Sequence, residues 1–148
     1  MPTNEEEIDM GRFNAQEVAY LQEHMLGRLA TSGKSARPHV VPISYHFDAE
    51  HEVIKIGGRL LEGRGQERLY VRHLEVNPQA ALVVDDVPDP QTWQPRGVLI
   101  KGTTVLHTEG GEVLGPGFGP NWVEVVPDFV TSWGIDNPAY PPAAPDKD

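Results

Sequence analysis

The chain has 148 residues, a formal net charge of −10 and no cysteine. This length suits a single domain with a buried core, and the missing cysteines exclude disulfides, thiolate metal sites and cysteine nucleophiles. Phosphate backbones repel so acidic a surface, and no apolar run reaches the ~20 residues of a bilayer-spanning helix, so the composition argues against nucleic-acid and membrane partners.

The first part of the chain predicts one helix followed by three strands. Residues 1–12 are predicted to be a flexible acidic arm, and they lack the apolar centre of a secretion signal, so we expect a cytoplasmic protein. Asn14 and Glu17 form a capping-box pattern, which predicts a helix over residues 14–27. Its apolar face comprises Val18, Leu21, Met25 and Leu26. Strands are predicted over 28–31, 37–47 and 52–56, with turns at 32–35 and 48–51.

The second part of the chain predicts another helix and several strands. The helix covers residues 66–76 and stops at Asn77-Pro78. Strands are predicted over 80–84, 97–107, 122–126 and 129–133, with a proline-rich connector at 87–95 and a loop at 115–120. Residues 137–148 have too little apolar content to fold and are predicted to be a disordered tail. Strands joined mostly by tight turns, together with two helices, predict an antiparallel barrel.

The tripeptide Gly33-Lys34-Ser35 matches the end of the phosphate-binding loop of many nucleotide hydrolases. Five residues separate Gly27 from Gly33, however, where that loop has four. The segment that follows Ser35 reads as a strand, so no helix N-terminus is available to hold a phosphate with free N–H groups. The tripeptide is therefore predicted to be the tip of a hairpin.

Other catalytic patterns are weak in this sequence. The six histidines form no HExxH pair, so we predict no metal site, and no GxSxG motif marks a serine nucleophile. Asp85 and Asp86 stand at the end of a predicted strand, where carboxylates can act as acid–base groups or can simply be solvated. Both interpretations remain open for this pair.

The arginines are more informative, because ten of the twelve basic residues lie between Arg28 and Lys101. Arg64, Arg68 and Arg72 are spaced by four, which places them on one helix face. Arg59 follows Gly57-Gly58, where bare backbone allows a ligand to approach closely. One interpretation is a solvated face on which the arginines pair with nearby glutamates (Glu62, Glu67 and Glu75). The other is a site for a phosphate or carboxylate, which would relieve the repulsion among the guanidinium groups.

Two tryptophans lie in settings rich in glycine and proline. Trp93 is part of TWQPRG and Trp133 is part of SWGID. Such side chains can stack on a planar ligand, or they can cover a barrel end or a subunit interface. The sequence does not choose between these roles.

Several motifs occur in an order typical of one protein superfamily. They are GRLATSGKSARPHVVPISYHFD, IKIGGR, NPQAALVVDD, WQPRGVLIKG and VTSWGID, within residues 13–136. Over this range the chain resembles the split-barrel flavin- and deazaflavin-binding proteins related to pyridoxamine 5′-phosphate oxidase, in particular an actinobacterial subfamily dependent on coenzyme F420. The resemblance implies a mainly β fold of the α+β type, a six-stranded antiparallel split β-barrel with about two short helices over 13–136.

The resemblance also implies a function and a binding site. Such proteins are homodimers that bind FMN or coenzyme F420 in a groove between subunits and transfer hydride to or from a small organic substrate, often without a protein acid or base. The segments that would line the ring are His39, Val40, Val41 and Pro42, and Ile56, Gly57, Gly58 and Arg59. The segment that runs into the second helix would hold the coenzyme phosphate, and Trp93, Arg96 and Trp133 would approach from the partner chain or cover the groove. The residues predicted to bind the anionic groups of the coenzyme are Arg59, Arg64, Arg68 and Arg72.

The chain departs from the family pattern at the coenzyme phosphate. Relatives usually carry lysines with Thr or Ser before the Asn-Pro turn, whereas this chain has Arg68-Leu69-Tyr70 and is longer there. Many relatives also have an arginine at the position of Phe129. The alternative function is therefore a non-catalytic split-barrel binding protein that has lost the family's phosphate-binding residues.

Overall fold

The computed structural model describes residues 11–59 and 68–135, which form seven β-strands and two α-helices. The predicted acidic arm therefore lies outside the described residues except for its last two positions, and the predicted tail at 137–148 lies outside them entirely. The helices are α1 (Ala15–Glu23) and α2 (Leu69–Val76). The strands are β1 (Leu26–Ser32), β2 (Pro38–Ser44), β3 (His46–Asp48), β4 (Val53–Arg59), β5 (Gln79–Asp86), β6 (Arg96–His107) and β7 (Phe118–Trp133), with a short 3-10 helix at Gly111–Leu114.

The strands form one antiparallel sheet in the order β2-β1-β5-β6-β7-β4-β3. The sheet curls, so that residues of β2 and β4 line the same cleft although four strands separate β2 from β4 in the sheet. This confirms the predicted mainly β, antiparallel split-barrel fold. The predicted hairpin at Gly33-Lys34-Ser35 is also confirmed, because Ser32 pairs with Pro38 across it and the Ala36 N–H donates to the Gly33 carbonyl at 3.1 Å.

The sheet has seven strands where the family resemblance implied six. The strand predicted at 37–47 is interrupted at Tyr45 and forms two strands, β2 and β3. The Tyr45 N–H donates to the carbonyl oxygen of Met25 at 3.0 Å. Its hydroxyl donates to the carbonyl oxygen of Leu21 at 2.7 Å. Tyr45 is thus held by the connection between α1 and β1, and β3 begins after it.

Helix α1 begins as predicted but ends four residues early. Asn14 Oδ1 accepts from the Glu17 N–H at 2.8 Å, and Glu17 Oε1 accepts from the Asn14 N–H at 2.9 Å, so the capping box is confirmed. His24 is extended and ends the helix. The placement of Met25 and Leu26 on its apolar face was wrong, since they are 72% and 51% exposed and Leu26 already pairs with Ser44 in the sheet.

The core lies on the concave side of the sheet, under the two helices. Buried residues alternate along the strands, as expected for a sheet with one covered face. Helix α1 contributes Tyr20 and Leu21, and α2 contributes Tyr70 and Leu74. No described helix has the length and apolar character to cross a membrane. The strand residues with no exposed surface are Leu29, Ile54, Leu82, Val84, Val98, Ile100 and Val125.

The predicted strands at 122–126 and 129–133 form a single strand, β7, which also takes in part of the loop predicted at 115–120. A β-bulge joins the two halves: Lys101 pairs with Phe129 and Gly102 pairs with Pro127, which leaves Asp128 as the extra residue. The ladder shifts by one residue here and continues. Proline is tolerated at such a position because the bulge already interrupts the regular hydrogen bonds.

Substitution of Gly102 by alanine is expected to destabilise the bulge. A Cβ at this position would overlap the carbonyl oxygen of Val126 and would lie 2.9 Å from the Cα atom of Pro127. These are backbone atoms, so we expect a loss of about 2 kcal/mol in the free energy of unfolding. Urea unfolding measures this loss, and Thr103→Ala on the exposed neighbour is the control. Equal stability of the two variants would show that the bulge adapts.

Candidate functional site

A cleft of about 270 Å³ lies where the curled sheet fails to close, between β2 and β4. Strand β3 pairs only with residues 53–55 of β4, so within the described chain Ile56–Arg59 have no strand partner on that side. A second lobe of about 280 Å³ adjoins the cleft and shares Ser44, Gly57, Arg59 and Phe118 with it. The remaining residues of the cleft are Leu26, Pro42, Ile43, Ile56, Arg68 and Tyr70.

Two arginines of the cleft lack a carboxylate partner among the residues that the structure describes. The Arg59 guanidinium lies 4.7 Å from the centroid of the Phe118 ring, and that of Arg68 lies 5.7 Å from the centroid of Tyr70. By contrast, Arg28 and Arg96 form ion pairs with aspartates at 3.0 and 2.8 Å. Two guanidinium groups beside one cleft, with no carboxylate partner in the described part of the chain, can bind an anion there.

The other predicted phosphate-binding arginines are placed differently. Arg64 lies outside the described residues. Arg72 is exposed on α2, one turn beyond Arg68, and does not line the cleft. Of the two members of the predicted arginine stripe that the structure describes, only Arg68 lines the cleft, where it is joined by Arg59 from β4.

The segment His39–Pro42 runs along the edge strand β2 and meets the cleft only at its end. Pro42 lines the cleft, while Val40 is 62% exposed. His39 packs edge-on against His73 of α2, with ring centroids 5.4 Å apart, and Val41 packs against the core. Most of this predicted ring-binding segment thus lies beside the cleft and supports it.

Gly57 and Gly58 are accounted for by packing within the chain. A Cβ at Gly57 would lie 2.8 Å from Cδ1 of Phe118, and one at Gly58 would lie 2.9 Å from the carbonyl oxygen of Asn121. The start of β7 therefore needs both glycines in order to approach β4. The Phe118 ring covers Gly57, so the bare backbone predicted to face a ligand faces this side chain.

Trp93, Arg96 and Trp133 lie at the opposite end of the long β6–β7 hairpin. Trp133, at the C-terminal end of β7, pairs with Gly97. Phe118, at the other end of β7, lines the cleft. The sixteen residues of β7 would span up to about 50 Å if straight. Trp93 is 66% exposed and has a positive φ of 46°. Within one chain, this group does not contribute to the cleft.

Arg96 is held by an aspartate at this distant end. Its Nε and Nη2 donate to the two Asp86 oxygens at 2.8 and 3.2 Å, and the Tyr20 hydroxyl donates to Asp86 at 2.7 Å. The hydrogen bond from Arg96 is the main cause that lowers the pKa of Asp86. Asp85 forms a single, more exposed ion pair with Arg28 at 3.0 Å, so both aspartates have partners within the protein.

Phe118 and Tyr70 line the cleft but were not predicted from the sequence. Phe118 stands in GPGFGP, which reads as a loop, and Tyr70 was noted only as a departure from the family's lysines. No periodic signal could have found either residue, because their positions depend on contacts between distant strands. In the described ranges, no three His, Asp or Glu side chains converge in a way that could hold a metal ion.

The sequence is similar to one protein family and to a known reductase. A family model described as pyridoxamine 5′-phosphate oxidase matches residues 13–116. A 5a,11a-dehydrotetracycline/5a,11a-dehydrooxytetracycline reductase from Streptomyces rimosus subsp. rimosus is 36% identical over 126 residues, which cover 84% of each chain.

Solved structures share the fold at lower identity. An FAD-binding protein from Mycobacterium smegmatis aligns with a TM-score of 0.56 and 21% identity over 81% of this chain and 93% of its own. The haem storage protein HutZ from Vibrio cholerae aligns with a TM-score of 0.56 and 16% identity over 81% and 94%. Proteins that share this fold are thus named for different ligands, and the ligand of this chain depends on the residues of its own cleft.

Proposed function

Because this chain belongs to the pyridoxamine 5′-phosphate oxidase family, we propose that it is a reductase that uses FMN or coenzyme F420 to deliver hydride to a small organic substrate. The observation that carries the proposal is the pair of arginines, Arg59 and Arg68, which line the cleft between β2 and β4 and have no carboxylate partner among the described residues. Both candidate coenzymes combine a flat ring system with a phosphate group. The cleft offers apolar residues for the ring and two arginines for the phosphate.

The residues of the cleft fit such a coenzyme in three respects. Arg59 and Arg68 can bind the phosphate by charge-assisted hydrogen bonds. Ile43, Ile56 and Phe118 supply apolar surface that excludes water from the ring. The unpaired edges of β2 and β4 offer backbone N–H and C=O groups to the polar rim of the ring. When bound, the coenzyme supplies the hydride chemistry, and the protein orients it.

We propose that the substrate is a flat conjugated carbonyl compound. The 36%-identical relative is named as a reductase of dehydrotetracyclines, which are of this type. Met25 lines the second lobe and Leu26 lines the cleft, and both are exposed apolar side chains. Val113, beside the second lobe, is 87% exposed. Together they form an apolar rim against which such a substrate can pack.

We further propose that the protein is a homodimer in which Trp93 and Trp133 of one subunit cover the cleft of the other. The distance between these tryptophans and the cleft within one chain supports this arrangement, and Arg96 would stabilise that end of the sheet through Asp86. Sedimentation equilibrium is expected to give twice the chain mass of 16.3 kDa. A mass of one chain at micromolar concentration would contradict the dimer.

The function is tested by binding and by turnover. The purified protein is titrated with FMN and with coenzyme F420 while ring fluorescence is followed, and saturable binding of at least one is expected. The reduced form of the coenzyme that binds is then mixed with a conjugated ketone in the absence of oxygen, and its absorption should change only when protein and ketone are both present. Absence of binding by both coenzymes would exclude this function.

The alternative is a non-catalytic binding protein with the same barrel. The Phe118 ring over Gly57 favours it, because this contact narrows the slot that a ring would enter. The two functions differ in the second step of the experiment. Tight binding of a coenzyme without oxidation of its reduced form by any conjugated ketone would support the binding protein.

A further inference from the structure

Tyr70 of α2 has a buried hydroxyl that no other described residue bonds. The side chain is 3% exposed, and it lines both the cleft and a smaller cavity of about 100 Å³ under α2. Within residues 11–59 and 68–135 the hydroxyl has no hydrogen-bonding partner, and the Arg68 guanidinium lies over the ring, 5.7 Å from its centroid. Tyr70 therefore stands apart from the other buried tyrosines.

The two other buried tyrosines of the described chain are satisfied. Tyr20, also 3% exposed, donates to Asp86 at 2.7 Å. Tyr45, 8% exposed, donates to the carbonyl oxygen of Leu21 at 2.7 Å. A buried hydroxyl without a hydrogen-bonding partner lowers the free energy of unfolding by about 1–3 kcal/mol. Native proteins therefore rarely retain one unless a ligand or a water molecule forms a hydrogen bond with it.

The residues around Tyr70 indicate what kind of ligand would accept a hydrogen bond from its hydroxyl. Arg59 and Arg68 line the same cleft and have no carboxylate partner in the described part of the chain. Burial raises the pKa of Tyr70, and Arg68 only partly opposes this. The hydroxyl therefore keeps its proton at neutral pH and can act as a donor.

We propose that the Tyr70 hydroxyl donates a hydrogen bond to the anionic phosphate group of the ligand that Arg59 and Arg68 bind in the cleft. This inference rests on the proposed function, because it takes the ligand to be a coenzyme with a phosphate group. A neutral donor that lines the same cleft as the two guanidinium groups adds a hydrogen bond to the anion without adding charge repulsion. Tyr70 is thus a binding residue of the site, in addition to its place in the core.

The test is Tyr70→Phe, which removes the hydroxyl and keeps the ring. We expect the Kd for FMN or coenzyme F420 to rise about fivefold to tenfold, because one hydrogen bond is lost. The midpoint of thermal unfolding without ligand should not fall, because the variant removes an unsatisfied polar group. Riboflavin, which has no phosphate, should bind the variant and the wild type equally.

Tyr20→Phe is the matched control, since the two tyrosines are equally buried. It removes a hydroxyl that bonds Asp86, so its unfolding midpoint should fall while the Kd for the coenzyme stays the same. Unchanged coenzyme affinity in Tyr70→Phe would overturn the inference. A fall in stability as large as that of Tyr20→Phe would also overturn it, because the hydroxyl would then have a partner in the protein.

A separate probe distinguishes failure of this inference from failure of the proposed function. If the wild type binds neither coenzyme, the proposed function fails, and pyrophosphate is then used as the ligand. Thermal stabilisation by millimolar pyrophosphate in the wild type but not in Tyr70→Phe would support a phosphate site at Tyr70. Equal stabilisation of both proteins, or none of either, would overturn it.

Discussion

Replacing Arg59 and Arg68 together with alanine is expected to weaken binding of FMN or coenzyme F420 about 100-fold, because each guanidinium contributes a charge-assisted hydrogen bond of at least about 1.5 kcal/mol. Both side chains are exposed and unpaired in the described part of the chain, so their loss should leave the fold intact. Fluorescence titration at two salt concentrations measures the effect. Wild-type binding should weaken as salt increases, and binding by the variant should respond less.

The matched control for this variant is Lys34→Ala with Arg37→Ala. These cations are exposed at the tip of the β1–β2 hairpin and form no ion pair within residues 11–59 and 68–135, so both double variants carry the same net charge. Coenzyme affinity should change little in the control. An equal loss in both variants would mean that overall charge attracts the ligand and that Arg59 and Arg68 have no specific contact with it.

Replacing Asp86 with alanine is expected to lower the free energy of unfolding by about 3–4 kcal/mol, which corresponds to about 10 °C in the unfolding midpoint. Asp86 accepts hydrogen bonds from Arg96 and Tyr20, and its loss leaves the partly buried guanidinium and the buried hydroxyl without their partner. These contacts connect α1 to the end of the β5–β6 pair. Urea unfolding at neutral pH measures the loss.

Asp85→Ala is the control for this prediction. Asp85 pairs with Arg28, but their side chains are 48% and 43% exposed, so this ion pair should contribute less than about 1 kcal/mol. The two neighbouring aspartates should therefore differ severalfold in their effect. Similar losses in the free energy of unfolding of both variants would show that burial does not determine how much each ion pair stabilises the fold.

The effect of Asp86→Ala should also depend on pH. Arg96 lowers the pKa of Asp86 in the folded state, so folding favours the ionised carboxylate. The stability that Asp86 contributes is therefore complete above the ordinary aspartate pKa of about 3.9 and is lost as the pH falls through the lower, folded value. The difference between wild type and variant should be constant from pH 6 to 7 and shrink below about pH 4.

The sequence alone determined the fold class, because the signals for it are local. The capping box at Asn14 and Glu17, the alternation along the strands and the hairpin tip at Gly33-Lys34-Ser35 depend on residues within a few positions of one another. They predicted most of the strands and the start of α1. The sequence also led to the prediction that Arg59 and Arg68 bind the coenzyme, and the structure places both in the lining of one cleft.

The ends of helices and strands were predicted less accurately, because they depend on contacts with residues that are distant in the sequence. Helix α1 stops at Glu23 because the next residues extend and pair with β2, which the apolar period of Met25 and Leu26 does not indicate. Strand β7 continues past Pro127 because a bulge opposite Gly102 absorbs the proline. Both outcomes depend on the register of a neighbouring strand.

Only the tertiary structure decided which polar groups are satisfied and which are left for a ligand. It pairs Asp86 with Arg96 and Tyr20, fills the space over Gly57 with Phe118, and leaves Arg59, Arg68 and the Tyr70 hydroxyl without a hydrogen-bonding partner among the described residues. These pairings join residues that are far apart in the chain, so composition, spacing and periodicity do not predict them. The physical reason is that a side chain's partners are set by how the sheet curls and closes, whereas sequence patterns report only which face each residue turns to the core.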